Sequence, residues 1–277
     1  MRIGTTADIT NVESLRQIKQ AGFDCIDAQG LVNVEGALHS LSDDELYQVA
    51  KNAKKMLDSL GLFPSQLHGP WRYPPQDDDH SMRERWMIFC ERAICVCGIL
   101  GCKCFVIHPL MPFGEEDTDP AFSKALNRTF LTNLSTLGEQ FGVVICVENM
   151  PFGAQSLARV APLLELVKEI DSPYLRICLD TGHAMCVGDS PADAVRLLGK
   201  KYLAVMHVHD NDGTADQHRA PWQGSIDWND FTNALAEIEF DGTISMELSY
   251  RSWRNAADKA QYYSHVAELA RRVAGNI

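Results

Sequence analysis

Basic residues are scarce in this chain. There are 25 lysines and arginines against 37 aspartates and glutamates, which gives a formal net charge of −12. An acidic surface repels polyanions on average, whereas nucleic-acid binding needs basic side chains that release counterions from phosphates. The composition therefore argues against nucleic acid as a partner and favours a small-molecule substrate.

Long apolar runs and export signals are also absent from the sequence. No run approaches the ~20 apolar residues needed to cross a bilayer. The first ten residues, MRIGTTADIT, lack the basic and then apolar segments of a signal peptide. The nine cysteines occur without C-x-x-C spacing, and most lie within apolar runs, as buried thiols do in a reducing compartment. We therefore expect a cytoplasmic protein with no membrane partner. A homo-oligomer stays open, because its interface would lie on outer helices.

Short apolar segments alternate with helical patterns along the whole chain. Continuous apolar runs are typical of strands in a parallel sheet that is covered on both faces. Strict alternation implies right-handed crossovers, and eight units predict a closed (β/α)8 TIM barrel, a single domain over residues 1–277. An open doubly wound sheet is the alternative, but no glycine-rich phosphate loop follows the first strand. The predicted strands are Arg2–Thr6, Cys25–Ala28, Pro64–His68, Cys104–His108, Val143–Glu148, Leu175–Asp180, Ala204–His209 and Thr243–Glu247.

The helical patterns carry recognisable start signals. Ser42-Asp-Asp-Glu45 is a capping-box pattern. Asp119-Pro120 and Ser190-Pro191 are typical of an N-cap followed by a first-turn proline. The predicted helices include Val12–Ala21, Asp43–Leu60, Ser81–Gly101, Leu157–Ile170, Trp228–Ile238 and Ala256–Val273.

Metal-capable side chains stand at or just beyond the ends of six predicted strands. Carboxylate and imidazole together form the ligand set of Zn²⁺, Mn²⁺ and related ions. The C-terminal ends of barrel strands open on the catalytic face, so we expect these side chains to converge on one metal-centred site. The nine residues are His68, His108, Glu148, Asp180, His183, His209, Asp216, His218 and Glu247.

The tightest predicted set comes from four consecutive strands: Glu148, Asp180, His209 and Glu247. Three carboxylates and one imidazole form an oxygen-rich set that suits Mn²⁺, Mg²⁺, Co²⁺ or Zn²⁺. Strand alternation puts His207 on the same face as His209, one layer deeper. We expect the last inward residue, His209, to be the ligand, and His207 to be a hydrogen-bonded histidine behind it or in the core.

The other five residues are candidates for further metal ions or for substrate contacts. Asp180-Thr-Gly-His183 puts a histidine three residues beyond a predicted ligand. Asp216-Gln-His218 has D-x-H spacing in the loop after the seventh strand. His68 and His108 end the third and fourth strands.

Two segments at the predicted barrel mouth combine aromatic and basic side chains. One begins at Trp71, just after His68, and the other surrounds Arg251, after the eighth strand. An aromatic ring can stack on a sugar, and TIM barrels often bind phosphate near the seventh and eighth loops. Trp71 and Arg251 are therefore the candidate substrate-binding residues, with solvated surface loops as the alternative at both places.

The order of several short motifs resembles the xylose-isomerase-like TIM-barrel superfamily. The strings are HGPW, IHP, VEN, LDTGH, HVHDNDGTADQH, QGSIDW and MEL, and they span nearly the whole chain. This superfamily includes sugar-phosphate isomerases and epimerases, ketose 3-epimerases, inosose-processing enzymes and endonuclease IV. The motifs are specific to the superfamily but not to one substrate.

By this resemblance, the four-residue set matches the single metal site of the ketose epimerases, whose two glutamates also act as acid and base. The resemblance therefore implies acid/base roles for Glu148 and Glu247, and a substrate or oxyanion contact for His183. A metal polarises a carbonyl and acidifies the neighbouring C–H, and a carboxylate can then move the proton. The predicted function is a sugar or sugar-phosphate isomerase or epimerase that uses one divalent ion per chain.

Two other functions stay open. Endonuclease IV holds three zinc ions through nine residues, and the nine strand-end residues here are their counterparts. A trinuclear zinc phosphodiesterase is therefore the main rival, although the loops here are acidic or mixed rather than basic. Dehydration or isomerisation of an inosose shares the first step of the predicted chemistry. A fructose-type substrate is in doubt, because Ala154 and Ala215 replace the glutamate and arginine that grip the substrate in ketose 3-epimerases.

Overall fold

Eight parallel strands form the centre of the molecule. The computed structural model describes residues 1–71, 79–249 and 259–275. The strands pair in the order β7-β6-β5-β4-β3-β2-β1-β8. The two ends of this order meet where Val208 pairs with Met246, and Val208 N donates to Ser245 O at 2.8 Å. The predicted (β/α)8 TIM barrel is therefore confirmed. The strands are β1 (Arg2–Ala7), β2 (Cys25–Ala28), β3 (Phe63–His68), β4 (Cys104–Ile107), β5 (Val144–Glu148), β6 (Leu175–Asp180), β7 (Leu203–His207) and β8 (Thr243–Met246).

Helices connect successive strands on the outside of the barrel. Ser42 forms the predicted capping box with Glu45 at the start of α3, and Gly61 ends that helix in the left-handed region, with φ 62°. In the part of the chain that the structure describes, no helix is both long and apolar enough to cross a membrane. The helices are α1 (Val12–Gln20), α2 (Ala37–Ser40), α3 (Asp43–Leu60), α4 (His80–Leu100), α5 (Pro120–Phe141), α6 (Val160–Ile170), α7 (Thr181–Cys186), α8 (Pro191–Tyr202), α9 (Trp228–Glu237) and α10 (Lys259–Val273).

The barrel interior is filled by a small apolar layer beneath the catalytic face. Val106, Cys146, Cys178 and Val205 form one buried cluster that is separate from the larger core under the helices. Each of these residues comes two positions before a polar residue near the end of its strand. Because side chains alternate along a strand, the polar residues lie on the same inward face, one layer higher. The apolar layer therefore supports a floor of polar side chains: His108, Glu148, Asp180 and His207.

Candidate metal centre

Four acidic or imidazole side chains converge above the apolar layer. Glu148, Asp180 and His207 are the last residues of β5, β6 and β7, and Glu247 follows β8 directly. Each offers one ligand atom, and these four atoms all lie within 4.8 Å of one another. The first three side chains are fully or almost fully buried, whereas the Glu247 side chain is 21% exposed. The group therefore combines three carboxylates with one imidazole, the composition that the sequence predicted.

The imidazole in this group is His207, held in place by a buried carboxylate on β2. His207 Nε2 lies 2.9 Å from Asp27 Oδ2, and because a carboxylate only accepts, this nitrogen carries the donated hydrogen. The opposite nitrogen, Nδ1, faces Glu148 Oε1 at 2.6 Å and Glu247 Oε2 at 3.3 Å. A carboxylate that fixes one imidazole nitrogen while the other faces acidic oxygens is typical of a metal-binding histidine.

The electrostatics of His207 follow from these neighbours. Burial lowers the pKa of His207, but the acidic groups around it, including Glu148 and Glu247, raise that pKa well above its ordinary value. The raised pKa favours the doubly protonated ring, which can donate to Asp27 and to Glu148 at the same time. A divalent ion would take the place of the Nδ1 proton.

His209 lies close to this four-residue group but is not a member of it. Strand β7 ends at His207, which is paired in register with Asp180, so His209 lies beyond the last pair of β6 and β7. His209 Nε2 is 3.0 Å from Asp180, and its ligand atom belongs to two other groups, with Asp180 and His183 and with His218 and Glu247. The sequence predicts His209 as the ligand, with His207 behind it; the structure instead places His207 in the four-residue group, and His209 lies beside that group.

A second cluster surrounds Asp216 in the loop after β7. Nε2 atoms of three histidines approach the Asp216 carboxylate: His218 at 3.1 Å, His183 at 3.4 Å and His209 at 3.6 Å. The Nδ1 atoms of His183 and His218 donate to the backbone oxygens of Asn149 (2.8 Å) and Glu247 (2.9 Å). Since a carbonyl only accepts, these two rings present Nε2 to Asp216, the orientation that a metal requires.

The protonation of this cluster is dominated by its carboxylates. Burial lowers the pKa of His183, but Asp180 and Asp216 outweigh it and raise the pKa to about 10. Burial likewise opposes the effect of Asp216 and Glu247 on His218, whose pKa is raised to about 9. Both histidines are therefore protonated at neutral pH in the metal-free protein, and metal binding at Asp216 would release protons.

Two further histidines contact Oε2 of Glu148, the oxygen that does not face His207. His108 Nε2 lies 3.0 Å and His68 Nε2 lies 3.4 Å from Glu148 Oε2. Burial lowers the pKa of His108 to about 4, so this ring is neutral. Burial alone would raise the pKa of Glu148, but the charge of His207 and hydrogen bonds from His108, His207 and His68 hold it well below its usual range. Glu148 is therefore ionised and offers both oxygens as ligands.

The candidate substrate cavity lies directly above these groups and has a volume of about 550 Å³. Trp71 forms one wall and meets the His108 ring nearly edge-on, with the ring centroids 5.3 Å apart. Among the described residues that line this cavity there is no lysine or arginine. Arg251, the other candidate substrate-binding residue, lies outside the described residues.

Glu148 and Glu247 line this cavity, but Asp180 and His207 do not. The two glutamates can therefore touch a substrate, while the other two members of the group lie beneath them. His68, His108, His183, Asp216 and His218 also line the cavity. Nine predicted residues are thus brought to one end of the barrel, and seven of them reach the cavity itself.

Two buried aspartates that the sequence did not single out hold this arrangement together. Asp27 fixes His207 and also accepts from Gln66 at 3.2 Å. Asp210, the residue after His209, accepts from Trp228 Nε1 at 2.9 Å and from backbone nitrogens, including Gly224 N at 3.0 Å. Asp210 lies at the start of the loop that carries Asp216 and holds the end of that loop through these hydrogen bonds. In the sequence, Asp27 lies within an apolar strand and Asp210 directly follows the histidine-containing segment of the seventh strand.

The geometry fits a divalent ion by a physical criterion. Buried carboxylates and imidazoles are costly unless they are paired or bind a metal. Here the inner ring nitrogens of His183, His207 and His218 face carboxylate oxygens rather than solvent, and the outer ring nitrogens are fixed by backbone oxygens or by Asp27. The residues that would hold the ion are Glu148, Asp180, His207 and Glu247, with the Asp216 cluster as a neighbouring site.

Comparison with known proteins agrees with this architecture. A model of the xylose isomerase-like TIM barrel family matches residues 15–272. The chain belongs to this family. An uncharacterised protein of Methanocaldococcus jannaschii is 37% identical over 210 residues, which cover 73% of this chain and 70% of that protein.

Other members of the xylose isomerase-like family have named activities or ligands. D-psicose 3-epimerase of Agrobacterium fabrum is 23% identical over 239 residues, covering 84% of this chain and 77% of that protein. A crystal structure of IOLI protein with a binding zinc atom superposes with a TM-score of 0.78 at 19% identity, over 99% of both chains. The likeness to the IOLI structure shows a shared fold.

Proposed function

We propose that this protein is a divalent-metal-dependent isomerase or epimerase that acts on a sugar or sugar phosphate. The observation that carries the proposal is that only two members of the four-residue group line the cavity, while the other two lie beneath it. Glu148 and Glu247 reach the cavity, whereas Asp180 and His207 are covered. Two cavity-lining carboxylates beside a metal position are the groups that proton transfer next to a carbonyl requires. The relationship to D-psicose 3-epimerase supports the same reaction class.

The proposed mechanism assigns one proton transfer to each glutamate. A divalent ion, when bound, supplies the positive charge that polarises a substrate carbonyl and acidifies the neighbouring C–H. Glu148 is held ionised by its histidine partners, so it is available as a base. Glu247 is the more exposed of the two, so it can take a proton from solvent and return it to the substrate carbon after Glu148 has removed one. His183 lines the cavity with its Nε2 3.4 Å from Asp216 and contacts substrate oxygens, and Trp71 provides an apolar wall.

The proposed ligand set differs from the sequence-based expectation at one position. We assign His207 to the first metal, together with Glu148, Asp180 and Glu247, because its Nδ1 faces two of these carboxylates. His209 is then available to the cluster around Asp216. The oxygen-rich set suits Mn²⁺, Mg²⁺, Co²⁺ or Zn²⁺. One ion per chain is sufficient for the proposed chemistry.

A trinuclear phosphodiesterase is the second candidate function, and a specific observation favours it. The histidines around Asp216 and the two histidines on Glu148 could hold two further ions. The lining of the cavity argues against a phosphodiesterase, because its described residues include no arginine or lysine to bind a nucleic-acid backbone. Dehydration or isomerisation of an inosose remains compatible with the same two glutamates.

The metal content of purified protein, measured together with a Glu247→Gln variant, tests the proposal. We expect about one tightly held divalent ion per chain in the wild type. Glu247→Gln keeps one potential ligand oxygen but cannot accept a proton, so it should abolish isomerisation while weakening metal binding only in part. The conservative variant Glu237→Gln, on the exposed face of α9, is the control and should retain activity. About three zinc ions per chain, with cleavage of abasic DNA, would contradict the proposal. Wild-type turnover by Glu247→Gln would exclude Glu247 as an acid or base.

A further inference from the structure

A second cavity lies on the other side of Trp71. It has a volume of about 530 Å³, close to the 550 Å³ of the metal-centred cavity, and Trp71 lines both. Each volume falls within the roughly 300–1,000 Å³ that holds a small ligand in a protein. We call these spaces the inner cavity, above Glu148, and the outer cavity, between the β2–α2 loop and α4. Together they offer room for two ring-sized groups.

The wall between the two cavities is fixed by backbone pairing. Trp71 N donates to Val32 O at 2.7 Å, and Trp71 forms a parallel bridge with Asn33. Consecutive residues of this loop then face different spaces: Val32 lines the inner cavity, and Asn33 and Val34 line the outer one. The two cavities are therefore side by side across one paired segment.

The outer cavity combines an aromatic floor with a polar rim. Trp86 is almost fully buried and Phe89 is half-buried, and both belong to α4. Asn33, Glu35 and Arg85 are exposed and offer hydrogen-bonding groups at its edge. Among the described lining residues, the charges of Glu35 and Arg85 cancel. This lining suits a neutral ring with one apolar face and several hydroxyl groups.

We propose that the outer cavity binds a second sugar unit of an extended substrate whose reacting sugar occupies the inner cavity, the glycosidic link passing over the half-buried Trp71 side chain that lines both. This proposal rests on the proposed function and refines its substrate class from a single sugar to a glycosylated one. The ring of the second unit stacks on Trp71 and on the floor formed by Phe89 over the buried Trp86, and Asn33 and Arg85 bind its hydroxyl groups. Trp71 thereby contacts both sugar units and favours a two-unit substrate over a single sugar.

Calorimetric binding to the Mn²⁺-loaded, full-length protein tests this assignment. The probes are the disaccharides cellobiose, maltose and lactose, each compared with D-glucose and D-galactose. We expect at least one disaccharide to bind about tenfold or more tightly than either monosaccharide, the effect of one additional well-formed ring contact. Val34→Trp fills the outer cavity from its half-buried edge, and should remove this preference while leaving the monosaccharide affinity unchanged.

Two single arginine substitutions test the proposal even if the Val34→Trp variant does not fold. Arg85→Ala removes a rim group of the outer cavity, while Arg83→Ala removes the same charge from α4 at a residue that does not line it. Only Arg85→Ala should weaken disaccharide binding. Monosaccharide binding without any preference for a disaccharide would overturn this proposal alone, as would equal effects of Arg83→Ala and Arg85→Ala. Failure of every sugar to bind would count against the proposed function itself.

Discussion

The contact between Asp27 and His207 gives the sharpest test of which histidine holds the metal. Asp27 Oδ2 fixes His207 Nε2 at 2.9 Å, and Asp27→Ala removes this anchor without replacing any of the proposed ligands. A hydrogen bond to a charged group contributes about 1.5–3 kcal/mol. Loss of a partner that orients a metal-binding histidine typically weakens metal binding by about 10–100-fold. We therefore expect Asp27→Ala to raise the dissociation constant for Mn²⁺ or Zn²⁺ by about 10–100-fold.

Competition with a chromophoric chelator measures this affinity directly. Asp24→Ala is the matched control, because Asp24 lies just before β2, accepts from Ile3 N at 2.9 Å and belongs neither to the cavity lining nor to the metal-capable groups. It removes the same charge and should change metal affinity by less than about twofold. Circular dichroism confirms that both variants are folded. A folded Asp27→Ala protein with wild-type metal affinity would refute the assignment of His207 as a ligand.

Three further predictions concern the loop and helix that complete the site. An added Cβ at Gly182 would lie 2.0 Å from the His209 ring, which contacts the proposed ligand Asp180 at 3.0 Å. Gly182→Ala should therefore displace that ring, disturb Asp180 and lower metal content by elemental analysis, whereas Gly98→Ala, whose nearest neighbour is 3.6 Å away, should not. Asp210 is fully buried and accepts several hydrogen bonds, so Asp210→Ala should lower the free energy of unfolding in urea by about 3 kcal/mol; a loss below about 1 kcal/mol would mean that other contacts hold the loop. Although burial lowers the pKa of His183, nearby carboxylates raise it to about 10, so metal must displace its proton. At ion concentrations that also fill the neighbouring Asp216 cluster, the affinity of that cluster for a metal should then rise by up to about tenfold per pH unit between pH 6 and 9. A pH-independent affinity would show that His183 is not a ligand there.

The barrel could be predicted because its signals are local. Each strand is a short buried run, and helix starts such as the Ser42–Glu45 capping box are written in adjacent residues. Strand ends differed by no more than two residues from the prediction. Only at β7 did the difference change which residue is assigned to the metal. There the apolar and histidine pattern continues to His209, but pairing with β6 stops at His207. Pairing depends on a neighbouring strand, so periodicity along one segment cannot locate that end.

The site was predictable in composition but not in its internal contacts. Barrel topology was enough to bring the nine strand-end residues to one face. Which nitrogen faces which oxygen depends on partners far apart in the chain, such as Asp27 and His207, which are 180 residues apart. The outer cavity beside Trp71 could not be foreseen either, because Val34 and Phe89 carry no signal of a binding site when read along the sequence.

Solvent-deuterium incorporation tests the central claim most directly. Metal-loaded protein is incubated in D₂O with a panel of ketoses, ketose phosphates, inososes and glycosylated ketoses, and exchange is followed by NMR. We expect deuterium at the carbon next to the carbonyl of at least one substrate, lost when a chelator removes the metal and restored when Mn²⁺ is returned. Absence of exchange with every substrate, together with metal-dependent cleavage of abasic DNA, would contradict the isomerase assignment.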